Sequence, residues 1–291
     1  MKVRENYNRH ARGRRSSRTA NHRLNLNARK SVLLERIKKQ GKSHVHGNFA
    51  CGRGQDALKI MHTFDNEKVD VHNFDFSDLC LDEFKSRTYN HPLSTAKHIS
   101  WNFNCTDLRE WECETPEVFD SASCFLAFHY LNGSENFLRN LARSMRSGAC
   151  AALVFPDSDF ILGEMKKAIE DSAEKKDYYA FGKDKDDKHL FNIFFSFDHY
   201  SAFNSGTEPK LTYYFSLEES ISDVPENIVL KETFIEEARK NGFEVTLCEN
   251  ASTMEIPDDL ALKMRIDKRR EMSKYEKYAL SLYLCVIIRK L

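Results

Sequence analysis

Apolar positions along the chain alternate between a period of two and a period near 3.6, and the alternation predicts a succession of strands and helices. Val45 to Phe49 reads as a short strand that enters the turn Cys51-Gly52-Arg53-Gly54, after which Gln55 to Phe64 has helical spacing. Val69 to Phe76 reads as a second strand ending near Asp75. That completes a strand–helix–strand unit, with the parallel pairing and right-handed crossover such a unit requires. A helix over Ser77 to Thr88, strands over His98 to Cys105 and Phe119 to Phe128, a helix over Ser134 to Met145 and a strand over Gly148 to Phe155 continue the pattern. Ahead of it, Ala28 to Lys39 places Val32, Leu33 and Ile37 on one helical face. A helix over Lys231 to Asn241 and strands over Phe243 to Cys248 and Leu280 to Arg289 close the chain. The order predicts an α/β fold with a doubly wound, Rossmann-like sheet.

One segment breaks the alternation. Gly163 to Lys188 is heavily charged and helical in character, and the aromatic-rich runs Leu190 to Phe197 and Lys210 to Leu217 read as antiparallel strands. Residues of about 163–229 are therefore expected to form an antiparallel insertion over the ligand edge of the sheet, inside one domain of residues 26–291.

Composition adds a local charge imbalance. Lys and Arg balance Asp and Glu at 44 each, yet the first forty residues hold thirteen Lys or Arg against Glu5 and Glu35. Residues 1–25 read as a basic arm that faces nucleic acid or carries a nuclear-import signal, with a solvated tail as the plain alternative. Nuclear location is the expectation, or cytoplasmic if the protein is viral. The longest apolar stretches, Ala149 to Phe155 and Ala279 to Ile288, are too short to span a bilayer, and no secretory segment opens the sequence. Eight scattered cysteines without a C-x-x-C pair read as reduced and buried; metal ligands at paired spacing are absent, so no metal site is expected.

In open α/β sheets ligands lie at the carboxyl ends of the strands, which here directs attention to Cys51 to Asp56, Asp75, Asp107 and Phe125 to Tyr130. Glycines in the first of these let backbone approach a nucleotide-like ligand. Read in order, Tyr7-Asn8, Arg29-Lys30, Cys51-Gly52-Arg53-Gly54-Gln55-Asp56, Phe125-Leu126-Ala127-Phe128-His129-Tyr130, Pro156-Asp157-Ser158-Asp159, Val224-Pro225-Glu226-Asn227-Ile228-Val229 and Leu282-Tyr283-Leu284-Cys285 carry a family resemblance. The chain resembles the class I S-adenosylmethionine-dependent methyltransferases and, more narrowly, the mRNA cap guanine-N7 methyltransferases.

The resemblance implies S-adenosylmethionine as cofactor and capped mRNA as substrate, with an activating subunit or another part of the capping apparatus as a further partner. It implies that Asp75 accepts from the ribose hydroxyls, Asp107 from the adenine amino group, and that Lys30 reaches the methionine carboxylate, with Ala50, Cys51, Gly52 and Phe125 lining the cofactor. Arg53 and Asp56, after the turn, would belong to the cap site, with Arg53 at the cap phosphates, and His129, Tyr130, Glu226 and Tyr283 would meet the guanine, whose two donors one carboxylate can receive together. Plainer roles stand beside these: helix caps for Asp75 and Asp107, a solvated Arg53, a satisfied core pair in His129-Tyr130, a loop carboxylate in Glu226. Guanine N7 bears a lone pair and no proton, so no acid–base dyad is expected. Asn48, Ala50, Gln55 and Phe125 depart from the family pattern, where Asp, Gly, Gly and Gln are usual. They leave two alternatives, a catalytically weak cap- or RNA-binding relative and a methyltransferase for another acceptor.

Overall fold

The computed structural model describes residues 21–89, 91–96, 98–131, 134–171, 177–183, 189–217, 221–264 and 272–291. Most of the basic arm, with Tyr7-Asn8, lies outside them. The expected arm boundary at residue 25 falls inside the first described helix, α1, Asn21–Ile37. Its buried Val32, Leu33, Leu34 and Ile37 explain why the helix holds: each such side chain contributes roughly 1.5–3 kcal/mol when removed from water.

The chain then alternates as expected through β1 (Ser43–Phe49), α2 (Ala57–Thr63), β2 (Lys68–Asp75), α3 (Asp78–Thr88), α4 (Pro92–Ala96), β3 (Ile99–Cys105), β4 (Phe119–Phe125), α5 (Ser134–Ser144) and β5 (Met145–Pro156). Helix α2 starts two residues later than its apolar spacing suggests, because the turn continues to Ala57, whose N–H bonds the Gly54 carbonyl. Strand β4 ends at Phe125, three residues early. Leu126 has a φ of 59° there, and Phe128–Tyr130 forms a 3-10 turn.

Seven strands form the main sheet in the order β10-β11-β5-β4-β1-β2-β3, where β10 is Phe243–Asn250 and β11 Tyr283–Lys290. All run parallel except β11, which pairs antiparallel with both β10 and β5. The order reverses between β1 and β4, the crevice where doubly wound sheets bind ligands. Alternate residues face opposite layers. Phe49, Phe74, Cys124 and Leu153 pack under α5 and α8 (Lys231–Lys240), whereas Val69, Val71, Ala152 and Val154 share a core with α1 and α2.

The segment expected to be helical over 163–188 differs. Helix α6 covers Ser158–Glu170, and the chain re-emerges as strand β6, Asp177–Lys183, paired antiparallel with β7, His189–Ser196. The Lys and Asp content mimics a solvated helix, but Tyr178-Tyr179-Ala180-Phe181-Gly182 favours a strand. After α7 (Phe197–Asn204), strands β8 (Thr212–Leu217) and β9 (Ile221–Asn227) complete a four-stranded antiparallel sheet. Phe191, Ile193, Phe195, Tyr213 and Phe215 join the same core as α1, so the insertion is part of one packed body. Helices α9 (Asp258–Lys263) and α10 (Lys274–Leu280) lead to β11. None of the eight cysteines forms a disulfide; Cys80, Cys113, Cys124 and Cys285 are buried, but Cys105 is exposed, against the expectation for it.

Candidate active site

The carboxyl end of β1 makes a left-handed turn. Ala50 has a φ of 52°, Gly52 of 51° and Gly54 of 73°. At Gly54 a Cβ would lie 2.4 Å from the Phe84 ring, so both conformation and packing require glycine. The turn is tied to β2: Cys51 N–H bonds the Phe74 carbonyl at 3.1 Å, and Gly52 N–H donates to the Asp75 carboxylate at 2.8 Å. Asp75 also accepts from Ser77 N–H at 2.9 Å. Burial pushes its carboxyl up, against the pull of backbone donors at Ser77, Gly52 and Phe76. Ser77, not Asp75, caps α3 by accepting from Cys80 N–H. The backbone already claims much of the buried Asp75 carboxylate, so this residue shapes the turn.

Lys30 and Asp56 are brought together, although the sequence assigned them to different ligands. The buried Lys30 ammonium is 3.1 Å from Asp56, which also takes Lys59 at 2.7 Å. Burial alone would raise the Asp56 carboxyl; the two ammonium groups outweigh it and hold it at about 2. Burial also lowers Lys30, partly offset by Asp56. Phe125, in place of a glutamine, turns its ring to Lys30, 5.3 Å from ammonium to centroid. Asp56 is thus a partner of Lys30 on the turn rather than an open cap ligand. Arg53 pairs with Glu83 at 3.2 Å. Asp107 is gripped by Arg109 through Nε at 2.9 and 3.1 Å, and that hydrogen-bonded guanidinium holds its carboxyl below the ordinary value.

The other cluster is centred on Glu226, on β9. It is a buried strand residue, not a loop carboxylate, with 3% exposure. The Tyr130 hydroxyl donates to one oxygen at 2.7 Å, the Tyr213 hydroxyl to the other at 2.7 Å, and His129 Nε2 lies 3.4 Å away. Burial alone would raise this carboxyl; the nearby His129 and the bonds donated by His129, Tyr130 and Tyr213 hold it below the ordinary value. The His129 and Tyr130 rings meet at 4.0 Å, and His129 Nδ1 is buried without a partner. Tyr283, at the start of β11 beside Pro156, is close enough to raise the Tyr213 hydroxyl further, after burial and Glu226. Of the expected quartet, His129, Tyr130 and Glu226 thus meet directly, and Tyr283 lies near Tyr213. Tyr213 was missed as a member; its signal was the β8–β9 register, in which Tyr213 faces Glu226.

Comparison with known proteins follows this geometry. The family model described as the mRNA (guanine-N(7))-methyltransferase domain matches residues 1–291. The fold is similar to that of a protein described as an S-adenosylmethionine-dependent methyltransferase from Listeria monocytogenes, with a TM-score of 0.53, 16% identity, and 91% of this chain and 99% of that chain covered. It is also similar to geranyl diphosphate C-methyltransferase from Streptomyces coelicolor, solved with S-adenosyl-L-homocysteine, with a TM-score of 0.51, 10% identity, and 91% and 77% covered.

Proposed function

We propose how the site works from one premise: the chain belongs to the mRNA (guanine-N(7))-methyltransferase family, and it is an enzyme that transfers a methyl group from S-adenosylmethionine to N7 of the guanine cap. The residues present suit that cofactor. Lys30 and Lys59 share the single carboxylate of Asp56, which leaves one positive charge in surplus for the methionine carboxylate. Asp75 and Asp107 stand at the ends of β2 and β3 for ribose and adenine, and the left-handed Ala50 turn presents backbone beside Asp75, on the β1 side. When bound, the cofactor supplies the activated methyl group.

Glu226 carries the reading of the acceptor. A buried carboxylate fixed by two tyrosines is matched to the N1 and N2 donors of guanine. Of its protein contacts, the 3.4 Å approach of His129 is the longest, and it is the one we assign to yield, turning the imidazole to the exocyclic oxygen. Tyr130 and Tyr283 bound the ring plane. Arg53 exchanges Glu83 for the cap triphosphate. With no proton on N7 to remove, these side chains act by placement and charge.

The test is calorimetry with S-adenosylhomocysteine and, separately, with GpppG, followed by methyl transfer to GpppRNA and ApppRNA. Both ligands should bind and only the guanine cap should be methylated. Equal transfer to ApppRNA refutes the guanine pocket, and binding of GpppG without transfer favours a binding protein in which Asn48, Ala50, Gln55 and Phe125 have cost activity. The basic first forty residues support RNA contact and a nuclear location, which imaging of the tagged chain with and without residues 1–20 would check.

A further inference from the structure

A row of buried polar side chains crosses the parallel sheet one step below the cofactor edge. Asn48 and Asn73 are register partners on β1 and β2, and Asn48 Nδ2 donates to Asn73 Oδ1 at 2.9 Å. Asn73 Nδ2 donates to the Asn102 carbonyl of β3 at 3.0 Å. On the other side Ser123 of β4 donates to Asn48 Oδ1 at 3.4 Å and accepts from His46 Nε2 at 2.9 Å. Ser121 links His46 Nδ1 at 2.7 Å to His44 Nε2 at 2.8 Å. With tautomers assigned from this network, every donor points the same way, from His44 to Asn102, an arrangement in which each bond polarises the next. His44, His46, Asn48, Asn73, Ser121 and Ser123 are all buried.

Parallel strands covered on both faces ordinarily carry apolar residues at such positions, because a buried polar group is costly unless paired. Residues two apart share a face, so Asn48 stands beneath Ala50, Asn73 beneath Asp75 and Ser123 beneath Phe125. These are the points where three strands deliver side chains or backbone to the cofactor. Ala50 is left-handed there, at about 1–2 kcal/mol for a residue with a Cβ, and such a conformation persists only where its surroundings over-determine it.

We infer that Asn48, Asn73 and Ser123 are positioning residues for cofactor binding. The row fixes the spacing and register of the β1, β2 and β4 ends, so that the Ala50 turn and Asp75 meet S-adenosylmethionine in one geometry. This rests on the cofactor lying at that edge.

The experiment measures melting temperature and the S-adenosylhomocysteine Kd for Asn48→Val, Asn73→Val and the double variant. Each single change leaves an unpaired buried amide, so both stability and cofactor affinity should fall, the affinity at least ten-fold. The double change puts two residues suited to strands in place of the amide pair and should regain part of the melting temperature, since the Asn48–Asn73 bond loses both partners together while Ser123 and the Asn102 carbonyl each lose one. Its Kd should stay at least five-fold weak while GpppG binding moves less than two-fold. Ser123→Ala serves if a valine variant does not fold; it leaves His46 Nε2 and Asn48 Oδ1 without that partner, so its melting temperature should fall too, with a Kd at least three-fold weaker. A double variant, or a folded Ser123→Ala, that binds like the wild type overturns the inference and leaves the row a purely structural device. A wild type that shows no saturable binding instead overturns the cofactor assignment itself.

Discussion

Glu226→Gln separates recognition from folding. The amide keeps the size of the side chain and one acceptor, and the Tyr130 and Tyr213 hydroxyls, each 2.7 Å from a carboxylate oxygen, can turn to donate or accept. The protein's own contacts therefore survive. Guanine cannot adapt in this way. It offers donors along the edge, and the new NH2 meets one of them, so a hydrogen bond to a charged group is lost, worth about 1.5–3 kcal/mol. At about 1.36 kcal/mol per factor of ten, kcat/KM for GpppRNA should fall about ten- to 150-fold. Glu226→Ala is a poorer probe, because it strands two buried hydroxyls and confuses unfolding with lost recognition. The assay is transfer of labelled methyl groups over a range of GpppRNA concentrations, with the S-adenosylhomocysteine Kd as the control expected to stay within two-fold. If kcat/KM also stays within two-fold, Glu226 does not read the guanine, and the roles of His129, Tyr130 and Tyr283 go with it.

Ala50→Gly removes left-handed strain at the price of a more flexible unfolded chain and should raise the melting temperature by about 1–2 °C, whereas Gly54→Ala, driven into Phe84, should lower stability by about 2–4 kcal/mol in denaturant unfolding. Burial lowers His44 to about 4 from 6.5, and His46 falls well below 6.5 for the same reason, so the unfolded chain binds these protons first. Stability is then complete above about pH 6.5 and is lost as pH falls toward 4; scanning calorimetry should show this slope, and His44→Gln should reduce it. Removing residues 1–20, which carry seven Lys or Arg, should weaken RNA binding and flatten its dependence on salt by about 0.7 per lost phosphate contact, read by fluorescence anisotropy.

The sheet was legible because its signals are local, and the residues gathered around Glu226 were picked out by the order of motifs that carries the family resemblance. Glycines mark the turn, and His129-Tyr130 and Pro225-Glu226 are adjacent pairs in a fixed order. What escaped depends on which strands lie side by side. Tyr213 joins Glu226 only through a hairpin register, and Asp56 turns to Lys30 only because α1 packs on α2. Nothing in Asn48 or Asn73 alone announces that the two amides are neighbours. The charged stretch after residue 163 misled for the opposite reason, since its local composition outweighed a strand that is fixed by pairing.

Strand β11, threaded between β10 and β5, imposes an order in time. Its partner β5 ends at Pro156, while β11 begins at Tyr283, so everything between must be synthesised before the gap can be filled. At roughly 5–20 residues per second that wait is on the order of ten seconds, during which the apolar flank of β5 from Ala151 to Phe155 is a bare edge open to other chains. Tyr283 arrives with the strand that ends the wait. The nascent enzyme thus needs shelter for its half-built sheet, and the cluster around Glu226 and Tyr283 is among the last parts of the molecule to come into being.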